Sequence, residues 1–128
     1  MSKSKLKKKL DAIFSKYIRW YYADANGYVE CYTCGVTKPV KEMQCGHFQS
    51  RRHYATRWHT DNCKPQCVKC NMFMQGNIWV YGNKLKAEIG NVKFNKLIQL
   101  SNSTVKYTQQ DYEEMIAYYK KELQILCK

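Results

Sequence analysis

Acidic residues are scarce in this chain. Its 128 residues carry 10 Asp and Glu against 22 Lys and Arg, a formal charge of +12. Between Cys31 and Leu100 the only acids are Glu42, Asp61 and Glu88, so the middle of the chain can approach a polyanion with little repulsion. No apolar run reaches membrane-spanning length, which excludes a transmembrane helix. The basic N-terminus lacks the continuous apolar core of a signal peptide. Internal repeats are absent, as is low-complexity sequence beyond the lysine-rich start. The seven cysteines are odd in number, and four stand in metal-ligand spacing, which argues against a disulfide framework and for a reducing compartment. The expectation is a soluble, cytoplasmic protein with one domain over residues 1–128, its modest core helped by a metal staple.

Residues 1–20 hold seven of the basic side chains (Lys3, Lys5, Lys7, Lys8, Lys9, Lys16, Arg19) and one acid, Asp11. Leu6, Leu10, Ile13, Phe14, Tyr17 and Tyr21 recur at spacings of three and four, predicting an amphipathic helix over about Ser4 to Ala23. Its lysines read equally well as a solvated face and as an arm along a DNA backbone. Asn26-Gly27 marks a turn. Tyr28–Tyr32 and Met43–Ser50 read as strands, Thr37–Val40 as a turn, and 51–66, which has no clear period, as a long basic loop. A helix opening at Cys67 is interrupted or ended by Gly76. Ile78–Ile89 predicts a helix closed by Gly90, and Asn91–Leu100 a second piece. Thr108-x-x-Asp111 has capping-box spacing ahead of a stripe of Tyr112, Met115, Ile116, Tyr119, Leu123 and Leu126. The mixed charge of that last helix suits packing or a dimer better than DNA. The outline is a basic N-terminal helix (1–25), a metal-stapled middle (26–77) and a helical C-terminal part (78–128).

Chemistry concentrates in the middle. Cys31-Tyr32-Thr33-Cys34 and Cys67-Val68-Lys69-Cys70 supply four thiolates, enough to close a tetrahedral structural Zn²⁺ site with no open position. Cys45, Cys63 and Cys127 remain free thiols. All three histidines, His47, His53 and His59, lie between the two knuckles. Hydrolysis of a phosphodiester needs a base for water, a cation on the phosphate oxygens and a positive clamp. His47 suits the base because neutral imidazole accepts a proton near neutral pH. Gly46 beside it would let a phosphate or metal approach the backbone. Arg51 and Arg52 suit the clamp, and Arg57, Lys64 and Lys69 extend the basic set expected to contact nucleic acid. Tyr54 and Trp58, among those arginines, are the best candidates to stack on unpaired bases. The competing reading of each is ordinary: a packed histidine, solvated charges, core aromatics.

From Ser15 to Gly90 the text resembles the phage recombination endonuclease family of Rap, also called NinG, within the zinc-stapled HNH nucleases. The matching segments are Ser15–Arg19, Asn26–Val29, Cys31–Gly35, Gln44–Phe48, Ser50–Arg52, Ala55–Trp58, Asp61–Cys63, Gln66–Asn71 and Gly76–Asn77. The resemblance implies an α+β fold with a ββα-metal (His-Me finger) core and a four-cysteine structural zinc. It implies that Cys31, Cys34, Cys67 and Cys70 bind that zinc, that His47 is the general base, and that Asn62 orients the loop and the base. Asn71 matches the position that binds a catalytic Mg²⁺ or Mn²⁺. Many relatives place an acidic or His ligand directly before the base, where this chain has Gly46. That leaves the cation to Asn71 with Gln44, Asp61, His53 or substrate oxygens, of which Gln44 is preferred here. The implied activity is metal-dependent cleavage of branched DNA such as Holliday junctions or D-loops, and a symmetric homodimer would supply two coordinated cuts. Two other readings stay open: a non-catalytic zinc-stapled DNA- or RNA-binding protein in which His47 is structural, and a protein-interaction module whose charge aids solubility.

Overall fold

The computed structural model describes residues 1–127, so the C-terminal bound of the expected helical part, residue 128, lies outside the described residues. Helix α1 runs Lys3–Tyr21, started by the Ser2 side chain accepting a hydrogen bond from the Lys5 backbone N–H. Its buried stripe is Leu6, Leu10, Phe14 and Ile18, a strict i, i+4 row, with Ile13 and Tyr17 half-buried beside it. Tyr21, expected in the stripe, is 55% exposed because the row has rotated away from it by that turn. Helix α4 (Gln109–Leu126) begins with the expected capping box, Thr108 and Asp111 exchanging bonds of 2.8 and 3.1 Å. It packs on α1: Phe14 meets Tyr119 edge to face, and Tyr112 and Ile116 join Leu6, Leu10, Phe14, Ile18, Trp58 and Cys63 in one cluster. The last apolar position, Leu126, is exposed.

The sheets are small. Strands β1 (Tyr28–Glu30) and β2 (Thr37–Pro39) pair antiparallel around the first knuckle. A 3-10 turn (Val40–Glu42) leads into β3 (Met43–His47), which pairs antiparallel with β4 (Cys63–Cys67). The expected turn at 37–40 is therefore a strand followed by a turn. The expected long loop at 51–66 holds a short helix α2 (Tyr54–Arg57), a 3-10 turn (Thr60–Asn62) and almost all of β4. Strand β4 escaped pattern reading because every residue of Cys-Lys-Pro-Gln-Cys is buried, so no alternation marks it. Past the second knuckle the chain forms a π-helical turn (Lys69–Phe73) rather than an ordinary helix, and Gly76 follows it. Helix α3 (Ile78–Ser101) is two helices joined at Gly90, whose φ of +87° and ψ of 162° break the helix where its sequence position predicts.

A second cluster (Val29, Cys31, Val40, Met43, Cys67, Cys70) holds the two hairpins to the knuckles, and a third (Tyr81, Leu85, Leu97) packs α3 under them. Tyr81, fully buried, donates to the Gly46 carbonyl at 2.8 Å and so ties α3 to the middle of β3. No helix among the described residues is long and apolar enough to cross a membrane.

Candidate active site and metal centre

The two hairpins converge four sulfurs. Cys31, Cys34, Cys67 and Cys70 offer ligand atoms within 4.8 Å of one another, all but Cys34 buried. The Cys34 and Cys67 sulfurs are 3.7 Å apart. A tetrahedral ion with Zn–S bonds of about 2.3 Å separates its sulfurs by about 3.8 Å, so the cluster fits a metal ion such as zinc. Donors already point at the sulfurs: the Cys70 N–H reaches Cys67 Sγ at 3.4 Å, and Asn77 Nδ2 reaches Cys70 Sγ at 3.8 Å. Burial pushes the Cys31 thiol up, but hydrogen bonds from Thr33 and nearby backbone groups win and hold it at about 6. Cys34 rises despite the Val36 backbone N–H, because burial and the neighbouring thiols outweigh it, and burial raises Cys67, so without a metal the four sulfurs do not ionise together.

Beside this cluster a cleft of about 560 Å³ opens between α1 and the β3–π-turn edge. Lys8, Asp11 and Ser15 line it from α1; Gln44, Cys45 and His47 from β3; Arg51 from the following segment; Asn71 and Met72 from the π-turn. Four of the expected residues thus share one cavity: His47, Asn71, Gln44 and Arg51. Asn71 Nδ2 donates to Gln44 Oε1 at 2.8 Å, so these two amides are in direct contact. Both are neutral amides, and the Gln44 oxygen already accepts from Asn71, so an oxygen-preferring cation here would need substrate phosphate oxygens and water to complete its shell.

His47 is held through Nε2, 2.8 Å from the Arg57 carbonyl oxygen. A carbonyl only accepts, so Nε2 carries the proton and Nδ1 keeps its lone pair. Burial lowers the imidazole below its usual 6.5 and outweighs the Arg57 carbonyl, which pulls it up. At neutral pH the ring is a neutral base.

Asn62 lies outside the cleft and is fully buried. Its amide donates to the Gln49 and Thr56 carbonyls at 2.9 and 3.1 Å, and its Oδ1 accepts from the Gln49 N–H at 2.7 Å. It closes the 49–62 loop, whose Arg57 carbonyl then orients His47.

Several sequence expectations are corrected. Asp61 and His59 line a separate cavity against α3, and His53 Nδ1 lies 3.0 Å from the Ser101 carbonyl oxygen, so neither Asp61 nor His53 reaches the cleft. Lys64 is 4% exposed, its ammonium bonded to Tyr22 and the solvent-facing Glu88 at 2.8 and 3.1 Å; buried in β4 and already paired, it is not a free nucleic-acid contact. Trp58 is 6% exposed within the α1–α4 cluster and offers no face to a base. Gly46 is required by a neighbouring side chain: a Cβ there would overlap the Gln66 amide, so the space on that side is filled by protein rather than left for a ligand. Arg52 and Lys69 are exposed, and Tyr54 is half-buried under Lys7, whose ammonium donates to its hydroxyl at 2.8 Å.

Sequence reading missed Asp11. Its carboxylate accepts from Trp58 Nε1 at 3.0 Å and Arg57 Nε at 3.1 Å, and pairs with Arg51 at 2.6 Å. Arg57, 14% exposed and spent on Asp11 and the Arg51 carbonyl, is therefore a positioning residue; Arg51, 59% exposed, keeps donors free. Burial raises the Asp11 pKa, but Arg57 and Arg51 overcome this and hold it below the usual 3.8. The one available signal was a lone acid in a lysine helix, with Lys8 and Ser15 on the same face. Asp11→Asn leaves Arg57 without a counter-charge and is expected to cost about 3 kcal/mol, read by urea denaturation at neutral pH. The folded-state pKa lies below the unfolded one. The contribution is therefore present above about pH 4 and lost as pH falls through the folded value, so the two proteins should converge in acid.

The family model described as Bacteriophage Lambda NinG protein matches the chain over residues 1–128. Comparison with curated proteins finds no match, and neither does comparison with solved structures.

Proposed function

The chain belongs to the bacteriophage lambda NinG family, and from that premise we propose that it is a metal-dependent, structure-selective DNA endonuclease of the ββα-metal (HNH) type. The observation that carries the reading is His47 held by the Arg57 carbonyl with Nδ1 unprotonated, in the same cleft as Asn71, Gln44 and Arg51. On this reading β3, β4 and the π-turn stand for the two strands and the helix of that core, and Cys31, Cys34, Cys67 and Cys70 hold a structural Zn²⁺.

His47 Nδ1 takes a proton from water as the water oxygen bonds phosphorus; the bond from phosphorus to the sugar oxygen breaks, and that oxygen leaves as a hydroxyl by taking a proton from solvent water. Arg51 places positive charge on the phosphate, with Asp11 fixing where that guanidinium sits. Asn71 and Gln44 would hold Mg²⁺ or Mn²⁺, which would supply Lewis acidity at the phosphate. Arg52, Lys69 and the exposed α1 lysines bind DNA backbone. The preference for branched DNA and action as a homodimer belong to the same proposal.

The test is incubation of metal-loaded protein with labelled four-way junction, flap, single strand and plain duplex, in Mg²⁺, Mn²⁺ or EDTA. Nicks that need the divalent ion and favour branched substrates are expected. Tight binding with no cleavage in either metal would sink the enzyme and leave a DNA- or RNA-binding protein.

A further inference from the structure

Three donors at the β3 wall of the cleft and just behind it belong neither to the four-sulfur cluster nor to the pair of Asn71 and Gln44. The β3–β4 register places His47 directly opposite Cys63, and Cys45 two residues before His47 on the same strand face. The Cys45 sulfur, the Cys63 sulfur and a ring nitrogen of His47 all lie within 4.8 Å of one another. A tetrahedral ion with Zn–S of about 2.3 Å and Zn–N of about 2.0 Å needs donors about 3.5 to 3.8 Å apart, a contraction that small side-chain rotations supply.

The geometry points to a second metal site here, taking a soft divalent ion such as Zn²⁺ through Cys45, His47 and Cys63. Access and support are both in place. Cys63 is fully buried behind them, in the α1–α4 cluster, whereas Cys45 and His47 line the open cleft, so a fourth position for water is reached from their side. Ligation through Nδ1 would leave Nε2–H on the Arg57 carbonyl, the outer-shell bond that a metal-binding histidine usually has. Two thiolates and an imidazole select zinc over Mg²⁺, whereas the neighbouring amide oxygens have the opposite preference. Binding releases the two thiol protons to solvent and engages the imidazole.

The site rests only on the donor geometry; its consequence rests on the nuclease reading. A metal on Nδ1 takes the lone pair that would accept the proton from water, and one on Nε2 removes the Arg57 bond that aims the ring. Excess zinc therefore switches off cleavage while the four-cysteine site stays filled.

The experiment equilibrates wild type and a C45S/C63S double variant in zinc buffers, counts zinc per chain by elemental analysis, and assays Mg²⁺-dependent cleavage in the same samples. Wild type should take a second zinc that the double variant binds at least about 100-fold more weakly, since two of its three ligands are gone. Wild-type cleavage should fall as that zinc binds and recover on mild chelation, with the variant's cleavage insensitive to it. One zinc per wild-type chain across the range, or a second zinc equally tight in the variant, overturns the site. If circular dichroism shows the double variant unfolded, C45S alone, altered on the solvent side, is read by the same count. Failure of wild type to cut any DNA refutes the nuclease reading, while the zinc count still decides the site.

Discussion

His47→Ala is expected to lower metal-dependent cleavage by about 10²- to 10⁴-fold, the usual worth of a positioned general base. DNA affinity should hold within about twofold, because lysines and arginines elsewhere carry the backbone contacts. Both readings come from one gel series: cleavage of a labelled junction in Mg²⁺, and binding of it in Ca²⁺ or EDTA. A variant that cuts as fast as wild type would show that His47 is structural. The pH profile adds a second, independent readout. The imidazole titrates below 6.5, held down chiefly by burial. Its neutral form, the base, is populated above that value, so wild-type cleavage should be flat through neutral pH and fall as pH drops below about 6.5. The residual activity of His47→Ala should lack that inflection. The two readouts together separate loss of a base from loss of fold.

Removing metal from the four-cysteine site is expected to have the largest effect on the fold. Cys31, Cys67 and Cys70 are themselves members of the cluster that includes Val29, Val40 and Met43, so their sulfurs are core atoms as well as ligands. Structural zinc in small modules contributes on the order of 10 kcal/mol. Strong chelation, or Cys67→Ser, should therefore release the β1–β2 hairpin and the π-turn. The α1–α4 cluster has its own apolar contacts and should keep its helices. Hydrogen exchange would locate the loss: protection should vanish first from about residue 24 to residue 77 and persist in α1 and α4. Cleavage should disappear with it, since Asn71 follows Cys70 directly and is placed by that ligand. Unchanged exchange after metal removal would show that packing alone holds this region.

The features legible in the sequence are those whose chemistry is local. Cysteine spacing identified the four-sulfur cluster because two residues between thiols set their reach whatever the surrounding fold. Apolar spacing gave α1 and α4, and Thr108 with Asp111 gave the start of α4, since helix period and capping act over three or four residues. Gly90 marked the break in α3 because a positive φ is a property of that one residue. Strand β4 was hidden because both its faces are covered, which removes the alternation that reveals a half-exposed strand. Lys64 and Trp58 looked like surface groups for nucleic acid, and their real partners, Glu88 for one and Asp11 and the α1–α4 cluster for the other, are distant in the chain.

The sequence by itself determined the ligand chemistry, the basic charge and the helical ends of this protein, because these follow from residue type and short spacing. Tertiary structure decided which of those groups can act together. It brought Asp11 to Arg51, Arg57 and Trp58 across 40 to 47 residues, set His47 against the Arg57 carbonyl, and placed Cys63 beside Cys45 and His47. Such pairings depend on strand register and on a helix crossing a hairpin. Both are fixed by the burial of whole faces, which no short segment encodes alone.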